Sequence, residues 1–144
     1  MKKRVYVDMD GVLVDYESGF DGTPDELHGY DNTPNVFNKM LPLPGALEAF
    51  RTLAKKFDVY VLSTAPWNNP SAWTDKANWI KKYLGDVAYK RLILTHNKAL
   101  CIGDYLIDDR TANGAGEFTG RHIHFGTDRF PDWDTVLAYL DKEE

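Results

Sequence analysis

The segment VYVDMDGVLVD, residues 5–15, is an apolar strand that ends in two carboxylates. Asp8 and Asp10 are separated by a single residue, and Gly11 follows directly. Burying an unpaired carboxylate costs several kcal/mol, so a buried strand can end this way only if a metal ion, a lysine or a substrate compensates the charge. The segment therefore predicts a strand that leads into a functional site.

Apolar strands alternate with amphipathic helices along most of the remaining chain. The strands are predicted at residues 5–9, 58–64, 91–95, 105–109 and 121–125. Apolar residues recur at helical spacing on one face of the segments 45–57, 73–84 and 133–140. This alternation favours an α/β fold with a mainly parallel five-stranded sheet and right-handed crossovers.

Residues 15–44 interrupt the alternation. The segment contains three glycines and four prolines and has no clear hydrophobic period, which is typical of an insert with short helices at most. The chain of 144 residues has the length of one domain with a single hydrophobic core. We therefore expect one domain, residues 1–144, with a short insert at about 15–44.

The composition is that of an ordinary acidic globular protein. Apolar residues make up 43% of the chain and the net charge is −5, which argues against a protein that lies along a nucleic acid backbone. The single cysteine, Cys101, excludes an intramolecular disulfide and is expected to be a small buried residue. No run approaches the roughly 20 apolar residues of a membrane span, and the first residues do not resemble a secretion signal. We expect a cytoplasmic protein.

Polar side chains collect at the carboxyl ends of three predicted strands. Asp8 and Asp10 follow the first strand, Thr64 ends the second, and Asp108 and Asp109 end the fourth. In parallel sheets these ends share one edge, and ligands bind there. Four carboxylates stay ionised together only if a cation lies among them, and a set of oxygen ligands suits Mg²⁺.

A lysine and a hydroxyl extend this cluster toward phosphate chemistry. Lys98, shortly after the third strand, could neutralise a carboxylate and a phosphoryl group together, and Thr64 offers a hydroxyl donor. A nucleophilic aspartate beside a metal ion and a lysine is suited to phosphoryl transfer through an aspartyl-phosphate. The residues alone leave two alternatives open, a metal-binding site without catalysis and a non-catalytic receiver domain that accepts a phosphoryl group once.

Four motifs give the chain a specific resemblance. The stretches DMDGVLVD (8–15), LSTAP (62–66), Lys98 and LIDDR (106–110) look like the four motifs of the haloacid dehalogenase (HAD) superfamily. Within that superfamily, residues 41–50 and 79–110 resemble the 5'(3')-deoxyribonucleotidases. The resemblance implies a HAD-like Rossmannoid three-layer sandwich in which the insert after the first strand is a short cap.

The resemblance also implies the catalytic roles. Asp8 would attack the phosphorus atom, and Asp10 would protonate the leaving oxygen and then activate the hydrolytic water. Thr64 and Lys98 would hold phosphate oxygens. These four residues are the predicted catalytic set.

A Mg²⁺ site is implied by the same resemblance. Asp8 and Asp109 would supply carboxylate ligands, and Asp10 would supply its backbone carbonyl. Asp108 would lie beside the ion, either as an alternate ligand or in support of Asp109.

The implied substrate contacts lie around the phosphate and at the mouth of the site. Gly11 has no Cβ and lets the backbone turn close to a phosphate, and Lys76 matches a lysine that reaches the phosphate. Tyr16 and Phe37, near the two ends of the insert, are expected to face each other across the mouth with a nucleobase between them. Ala65 stands where the family usually has a hydroxyl, and the short insert leaves the site more open than the family's helical cap does. The predicted set is Gly11, Tyr16, Phe37, Thr64, Ala65, Lys76 and Lys98.

The predicted function is Mg²⁺-dependent hydrolysis of nucleoside monophosphates through an aspartyl-phosphate, as in a 5'(3')-deoxyribonucleotidase. One alternative is a HAD phosphatase for another small phosphorylated metabolite or a nucleic acid end, and the acidic balance disfavours the nucleic acid. The other alternative is the receiver-like domain, against which the second carboxylate, Asp10, and the insert both argue. The expected partner is a small phosphomonoester, with no membrane, and a homodimer is left open.

Several aromatic residues and histidines remain outside this set. Taken singly, Trp67 is expected to pack rather than to stack on a base, and a place for His96 at the mouth of the site is left open. His122 and His124 alternate on one strand and share a face. With no third ligand nearby in sequence, we expect a structural role for the pair rather than a metal site.

Overall fold

The structure, a computed structural model, describes residues 1–20, 29 and 31–143. Its centre is a parallel five-stranded sheet with the strand order β5-β4-β1-β6-β7, and a two-stranded antiparallel pair, β2 and β3, lies beside it. The strands are β1 (Arg4–Val7), β2 (Val14–Asp15), β3 (Leu41–Pro42), β4 (Asp58–Ser63), β5 (Leu92–Leu94), β6 (Tyr105–Asp108) and β7 (Arg121–His124). The prediction of an α/β fold with a mainly parallel five-stranded sheet is confirmed.

The two faces of the sheet are covered unequally. The three helices, α1 (Ala46–Lys56), α2 (Pro70–Leu84) and α3 (Trp133–Lys142), share one core with the strand residues Val5 and Val7. On the opposite face, Tyr6 packs in a smaller cluster with Leu106 and Phe118. Right-handed connections from β1 through β4 to β5 run on the helical face, and those that return to β6 and β7 run on the other. The returning connections contain only short 3-10 helices, so the second layer is thin.

The helix ends show where local sequence rules apply. Helix α2 begins at Pro70, three residues earlier than the hydrophobic spacing predicts. Proline suits this position because the first turn of a helix leaves its N–H groups unbonded. Cys101 is only partly buried, because its neighbours Leu100 and Ile102 lie at the surface. Among the described residues, no helix has both the length and the apolar character that a bilayer crossing requires.

The insert is described at residues 15–20, 29 and 31–44, and residues 21–28 and 30 lie outside the described part of the chain. Its two ends pair as the β2–β3 ladder. The indole N–H of Trp79 on α2 donates to the carbonyl of Met40 at 2.9 Å. The indole N–H of Trp133 on α3 donates to the carbonyl of Val12 at 2.8 Å, just before the insert. Both described ends are therefore fixed to helices of the main core.

An ion-pair clamp joins three strands at the end of the sheet opposite the predicted site. Asp58, the first residue of β4, accepts hydrogen bonds from Arg91 at 2.6 Å and from Arg4 at 3.1 Å. Arg91 also donates to the carbonyl of Val59 at 3.0 Å. The hydrogen bond from Arg91 is the main cause that lowers the pKa of the Asp58 carboxyl below its ordinary value of 3.8.

We predict that Asp58→Asn lowers the free energy of unfolding by about 1 kcal/mol at neutral pH, a magnitude typical of a partly exposed ion-pair cluster. Because the folded-state pKa is lowered, this contribution is fully present above 3.8 and is lost as the pH falls through the folded pKa. Urea unfolding of both proteins, at about pH 6 and about pH 3, measures the difference. Asp86→Asn, which removes a single exposed pair with Arg51, is the control and should change stability little. A difference between wild type and Asp58→Asn that does not shrink as the pH is lowered below 3.8 would contradict the role assigned to the charge.

Candidate active site

The carboxylates predicted from the strand ends converge. Asp8 follows β1 and Asp108 ends the neighbouring strand β6, and the amide of Asp8 donates to the carbonyl of Ile107 at 2.9 Å. Asp8, Asp108 and Asp109 each place a carboxylate oxygen within 4.8 Å of the others. Adjacent parallel strands thus bring together groups that are 100 residues apart in sequence.

Lys98 lies between two of these carboxylates. Its Nζ donates to Asp8 Oδ1 at 3.0 Å and to Asp108 Oδ2 at 2.5 Å, and the residue is only 3% exposed. Burial by itself lowers the pKa of Lys98, but the attraction of Asp8 and Asp108 outweighs this and raises the pKa overall. The side chain is therefore a buried ammonium group at the floor of the site.

One ammonium does not balance the buried negative charge. Burial raises the pKa of Asp8 to about 7, against the opposing charge of Lys98. Burial, followed by the charge of Asp8, raises the pKa of Asp109 to about 6. These shifts show that the fully ionised cluster is electrostatically unfavourable without further positive charge.

The hydrogen bonds distinguish Asp109 from Asp108 as a ligand for a cation. Asp108 uses both oxygens, accepting from Lys98 and, at 3.0 Å, from the amide of Arg110. Asp109 Oδ1 is buried without a hydrogen-bond partner, and so is Asp10 Oδ1. The unsatisfied oxygen of Asp109, in the cluster with Asp8 and Asp108, fits a hard divalent cation such as Mg²⁺.

Gly11 is required by its contact with Asp109. It has φ of +79°, and a Cβ at this position would lie 2.1 Å from Asp109 Oδ2. The left-handed backbone favours glycine, and the close approach of the carboxylate excludes any side chain. The sequence analysis explains Gly11 by the close approach of a phosphate. The structure shows that Asp109 alone already requires glycine at this position.

Lys76 lies behind Asp10 and does not line the cleft. Its Nζ donates to Asp10 Oδ2 at 2.9 Å and to Ser63 Oγ at 3.1 Å, and the residue is 1% exposed. The ammonium also lies 4.6 Å from the centre of the Phe37 ring. Asp10 and Phe37 enclose its head group in this structure, and a contact of Lys76 with the phosphate stays a prediction.

The site opens into a cleft of about 440 Å³. The predicted residues in its wall are Asp8, Asp10, Gly11, Tyr16, Phe37, Thr64, Ala65, Lys98, Asp108 and Asp109. Thr64 donates its hydroxyl to the carbonyl of Thr95 at 2.7 Å, a bond it must exchange to donate to a phosphate. Of the predicted set, only Lys76 is missing from the wall.

Tyr16 and Phe37 do not face each other across the mouth. Their ring centres are 6.2 Å apart at an interplanar angle of 62°, an edge-to-face contact. Two rings that sandwich a base must be parallel and roughly 7 Å apart, twice a carbon contact distance. The expectation is wrong because the 3-10 helices that carry the two rings, Tyr16–Gly19 and Val36–Lys39, pack against each other.

The cleft wall also contains aromatic residues that the sequence analysis did not assign to the site. Trp67 is 76% exposed and lines the cleft together with His96. Their ring centres are 5.5 Å apart, and His96 Nε2 lies 2.9 Å from the carbonyl of Ala65. Trp67 comes three residues after Thr64, and this nearness to a strand end was the available signal. Asp31 and Arg110 also line the cleft, and for Asp31 the sequence offered no signal.

The fold and site have the features of the haloacid dehalogenase-like phosphohydrolases: a parallel sheet whose strand ends carry two aspartates one residue apart, a lysine and a further pair of aspartates. The model of the family "5' nucleotidase, deoxy (pyrimidine), cytosolic type C protein" matches residues 17–131, and the chain belongs to this family. Membership makes the chain an enzyme of the phosphoric monoester hydrolase class.

Curated relatives agree with this assignment. A putative 5'(3')-deoxyribonucleotidase of Vibrio phage KVP40 is 57% identical over 147 residues, which cover 99% of this chain and 86% of that protein. The 5'(3')-deoxyribonucleotidase of Bacillus subtilis is 29% identical over 168 residues, covering 100% of this chain and 96% of that protein. The human cytosolic-type 5'(3')-deoxyribonucleotidase is 28% identical over 168 residues, covering 93% and 78%.

We predict that Gly11→Ala weakens Mg²⁺ binding by at least about tenfold, because the new Cβ displaces the Asp109 carboxylate. Gly45→Ala is the matched control, since Gly45 has φ of +78° and open space around its Cβ position. Both variants should lose roughly 1 kcal/mol of stability from the left-handed backbone, and only Gly11→Ala should lose cation affinity. Titration calorimetry with Mg²⁺ measures the affinity, and equal affinities of the two variants would contradict the steric argument.

Proposed function

We propose that the chain is a Mg²⁺-dependent phosphatase that hydrolyses nucleoside monophosphates, in the manner of a 5'(3')-deoxyribonucleotidase, through an aspartyl-phosphate. The observation that carries the proposal is the buried Asp8 carboxylate at the floor of an open cleft, with the Lys98 ammonium on one oxygen. The unpartnered oxygen of Asp109 beside it is suited to a cation. The names of the relatives support the choice of nucleotides.

In the first step, an Asp8 carboxylate oxygen forms a bond to phosphorus, and the bond from phosphorus to the leaving oxygen breaks. Lys98 is close enough to Asp8, at 3.0 Å, to keep its carboxylate ionised and to attract a phosphate oxygen. When bound, Mg²⁺ would supply further positive charge at the transferring group, held by the Asp10 carbonyl and the Asp109 carboxylate. Thr64 would donate its hydroxyl to a phosphate oxygen from the neighbouring strand end.

Asp10 is the proposed acid and base. Lys76 holds its Oδ2 at 2.9 Å, whereas Oδ1 is buried without a partner. Oδ1 is therefore the atom that would carry the proton to the leaving oxygen. In the second step the same atom takes a proton from water, which attacks phosphorus, and the bond to Asp8 breaks to release phosphate. Lys76 would act by fixing the orientation of Asp10.

The site favours an enzyme over a receiver-like phosphoacceptor domain. A receiver needs one aspartate to accept the phosphoryl group and no second carboxylate to activate water. Here a second carboxylate, Asp10, lies beside Gly11 and is held by Lys76. A nucleic acid end is a weaker candidate substrate, because the net charge is −5 and Asp31 adds a carboxylate at the rim.

The wider assignments follow from this proposal. We propose that residues 1–144 act as one domain, with residues 15–44 as a short cap. We propose the cytoplasm as the location, in line with the chain's single cysteine and with a relative named cytosolic type. A homodimer is kept as a hypothesis that analytical ultracentrifugation would test.

Steady phosphate release tests the proposed function. We predict that the protein hydrolyses deoxynucleoside monophosphates for many turnovers with Mg²⁺ and loses this activity in excess chelator. Asp8→Asn should lower kcat by at least about three decades, because the amide cannot form the covalent intermediate. A single stoichiometric phosphorylation without release would favour the receiver. Activity of Asp8→Asn within tenfold of wild type would refute the nucleophile.

We predict a preference for substrates that carry a base, with Trp67 as the stacking surface. A deoxynucleoside monophosphate should exceed ribose 5-phosphate by roughly one to two decades in kcat/KM, the equivalent of about 1–3 kcal/mol of stacking. Trp67→Ala should remove most of this preference and leave ribose 5-phosphate unchanged. Tyr16→Ala should have the smaller effect, because the Tyr16 ring packs against Phe37.

Tyr89→Ala is the control for this experiment, since Tyr89 is 68% exposed and outside the cleft wall. If only Tyr16→Ala lost the preference, the base would have to bind against the insert and not against Trp67. If the wild type showed no preference for substrates with a base, the remaining hypothesis would be a phosphatase that acts on another small phosphorylated metabolite.

A further inference from the structure

Two histidines on β7 contact the segment that carries the paired aspartates. His122 and His124 lie on one side of the strand, with their rings stacked at 5.1 Å and an interplanar angle of 20°. His122 Nε2 is 3.1 Å from the carbonyl oxygen of Asp108, and His124 Nε2 is 3.0 Å from the carbonyl oxygen of Asp109. Among the described residues, neither histidine belongs to a group that could hold a metal ion.

The two contacts differ in what else holds each carbonyl. The carbonyl of Asp108 also accepts the amide of Phe125 at 3.0 Å, as part of the pairing between β6 and β7. Asp109 lies one residue beyond the end of β6, where the regular pairing has ended. The side chain of His124 is thus the group that ties this residue to β7.

We propose that His124 is a positioning residue for the cation site: its Nε2–H holds the Asp109 carbonyl and so fixes the direction of the Asp109 carboxylate, while the ring of His122 stacks behind it. The inference rests on the proposed function, since it concerns the ligand of the proposed Mg²⁺. His124 itself touches neither the substrate cleft nor the ion.

The chemistry of the contact fixes the state of the ring. A ring nitrogen 3.0 Å from a carbonyl oxygen must carry a proton, because two acceptors repel each other. Nε2–H is therefore the donor in the neutral ring, and the stacked His122 limits rotation. The interaction holds the peptide plane at Asp109 and does not depend on ring charge.

Asp109 is thereby restrained at both of its polar ends. Its carbonyl is bonded to His124, and its carboxylate lies against the Cα of Gly11, where a Cβ would be 2.1 Å from Oδ2. Oδ1 of this carboxylate is buried and has no hydrogen-bond partner, so no hydrogen bond to Oδ1 sets the direction of the carboxylate. Backbone restraint therefore orients this oxygen, in addition to the side-chain hydrogen bond that the carboxyl group makes with Asp8. Groups that orient metal ligands in this way change metal affinity by roughly 10–100-fold when removed.

The test uses three variants of the full chain. His124→Phe keeps a ring that can stack on His122 but removes the donor. His124→Gln keeps an N–H donor near the position of Nε2. His122→Phe is the matched control on the same strand, because the carbonyl of Asp108 retains the amide of Phe125.

Titration calorimetry with Mg²⁺ should show about tenfold weaker binding for His124→Phe, and binding within about threefold of wild type for His124→Gln and His122→Phe. In turnover assays, His124→Phe should need more Mg²⁺ but approach the wild-type kcat when the ion is saturating. Urea unfolding identifies any general loss of stability. If His124 had only a structural role, both phenylalanine variants would be less stable than the wild type. Their Mg²⁺ affinities would then not differ from each other.

Equal Mg²⁺ affinities of His124→Phe and His122→Phe, or no Mg²⁺ binding by the wild type, would overturn the inference. The proposed function fails separately, if the wild type releases no phosphate from any phosphomonoester. A wild type that hydrolyses nucleotides with Mg²⁺, and whose Mg²⁺ requirement is unchanged in His124→Phe, would keep the function and refute the positioning role.

Discussion

The buried ammonium of Lys98 is the constraint on which the site depends. It lies between Asp8 and Asp108, which two adjacent strands bring to one edge of the sheet. Without it, two carboxylates would be buried side by side, and one would have to take up a proton. The chain positions Lys98 by bonding its amide to the carbonyl of Asn113 at 2.7 Å, and Gly114 leaves room for this contact. Even with Lys98 in place, the pKa values of Asp8 and Asp109 are raised, which shows that part of the negative charge is not compensated. A divalent cation would compensate it.

The unequal layers on the two faces of the sheet follow from the strand order β5-β4-β1-β6-β7. Helices α1 and α2 lie on the face used by the connections that run outward from β1 to β5. The return connections carry Lys98 and the loop after Asp109, and they contain only short 3-10 helices. The thin layer therefore supplies Lys98 to the site, whereas Asp8 and Asp10 follow β1 directly.

The strands, the helices and the cluster of charged residues at the sheet edge could be predicted from the sequence. The packing of the insert could not. Strand ends could be predicted because short apolar runs stop next to the polar residues Asp8, Thr64 and Asp108. The contact between Tyr16 and Phe37 could not, since it depends on how two short 3-10 helices meet. The same holds for Lys76, whose direction is set by Asp10 and Phe37 across the core. Trp67 was expected to pack, but it is 76% exposed in the cleft wall, because a sequence pattern does not show how much of an aromatic ring its neighbours cover.

Two indole hydrogen bonds hold Met40, near the end of the insert, and Val12, just before it, against the helical core. Moving the described ends away from α2 and α3 would expose the buried carbonyls of Met40 and Val12 without their donors, which costs about 1–3 kcal/mol for each. The described part of the rim around Val12 and Met40 is therefore costly to displace, and a ligand that enters the cleft meets this part of the rim at a nearly fixed position.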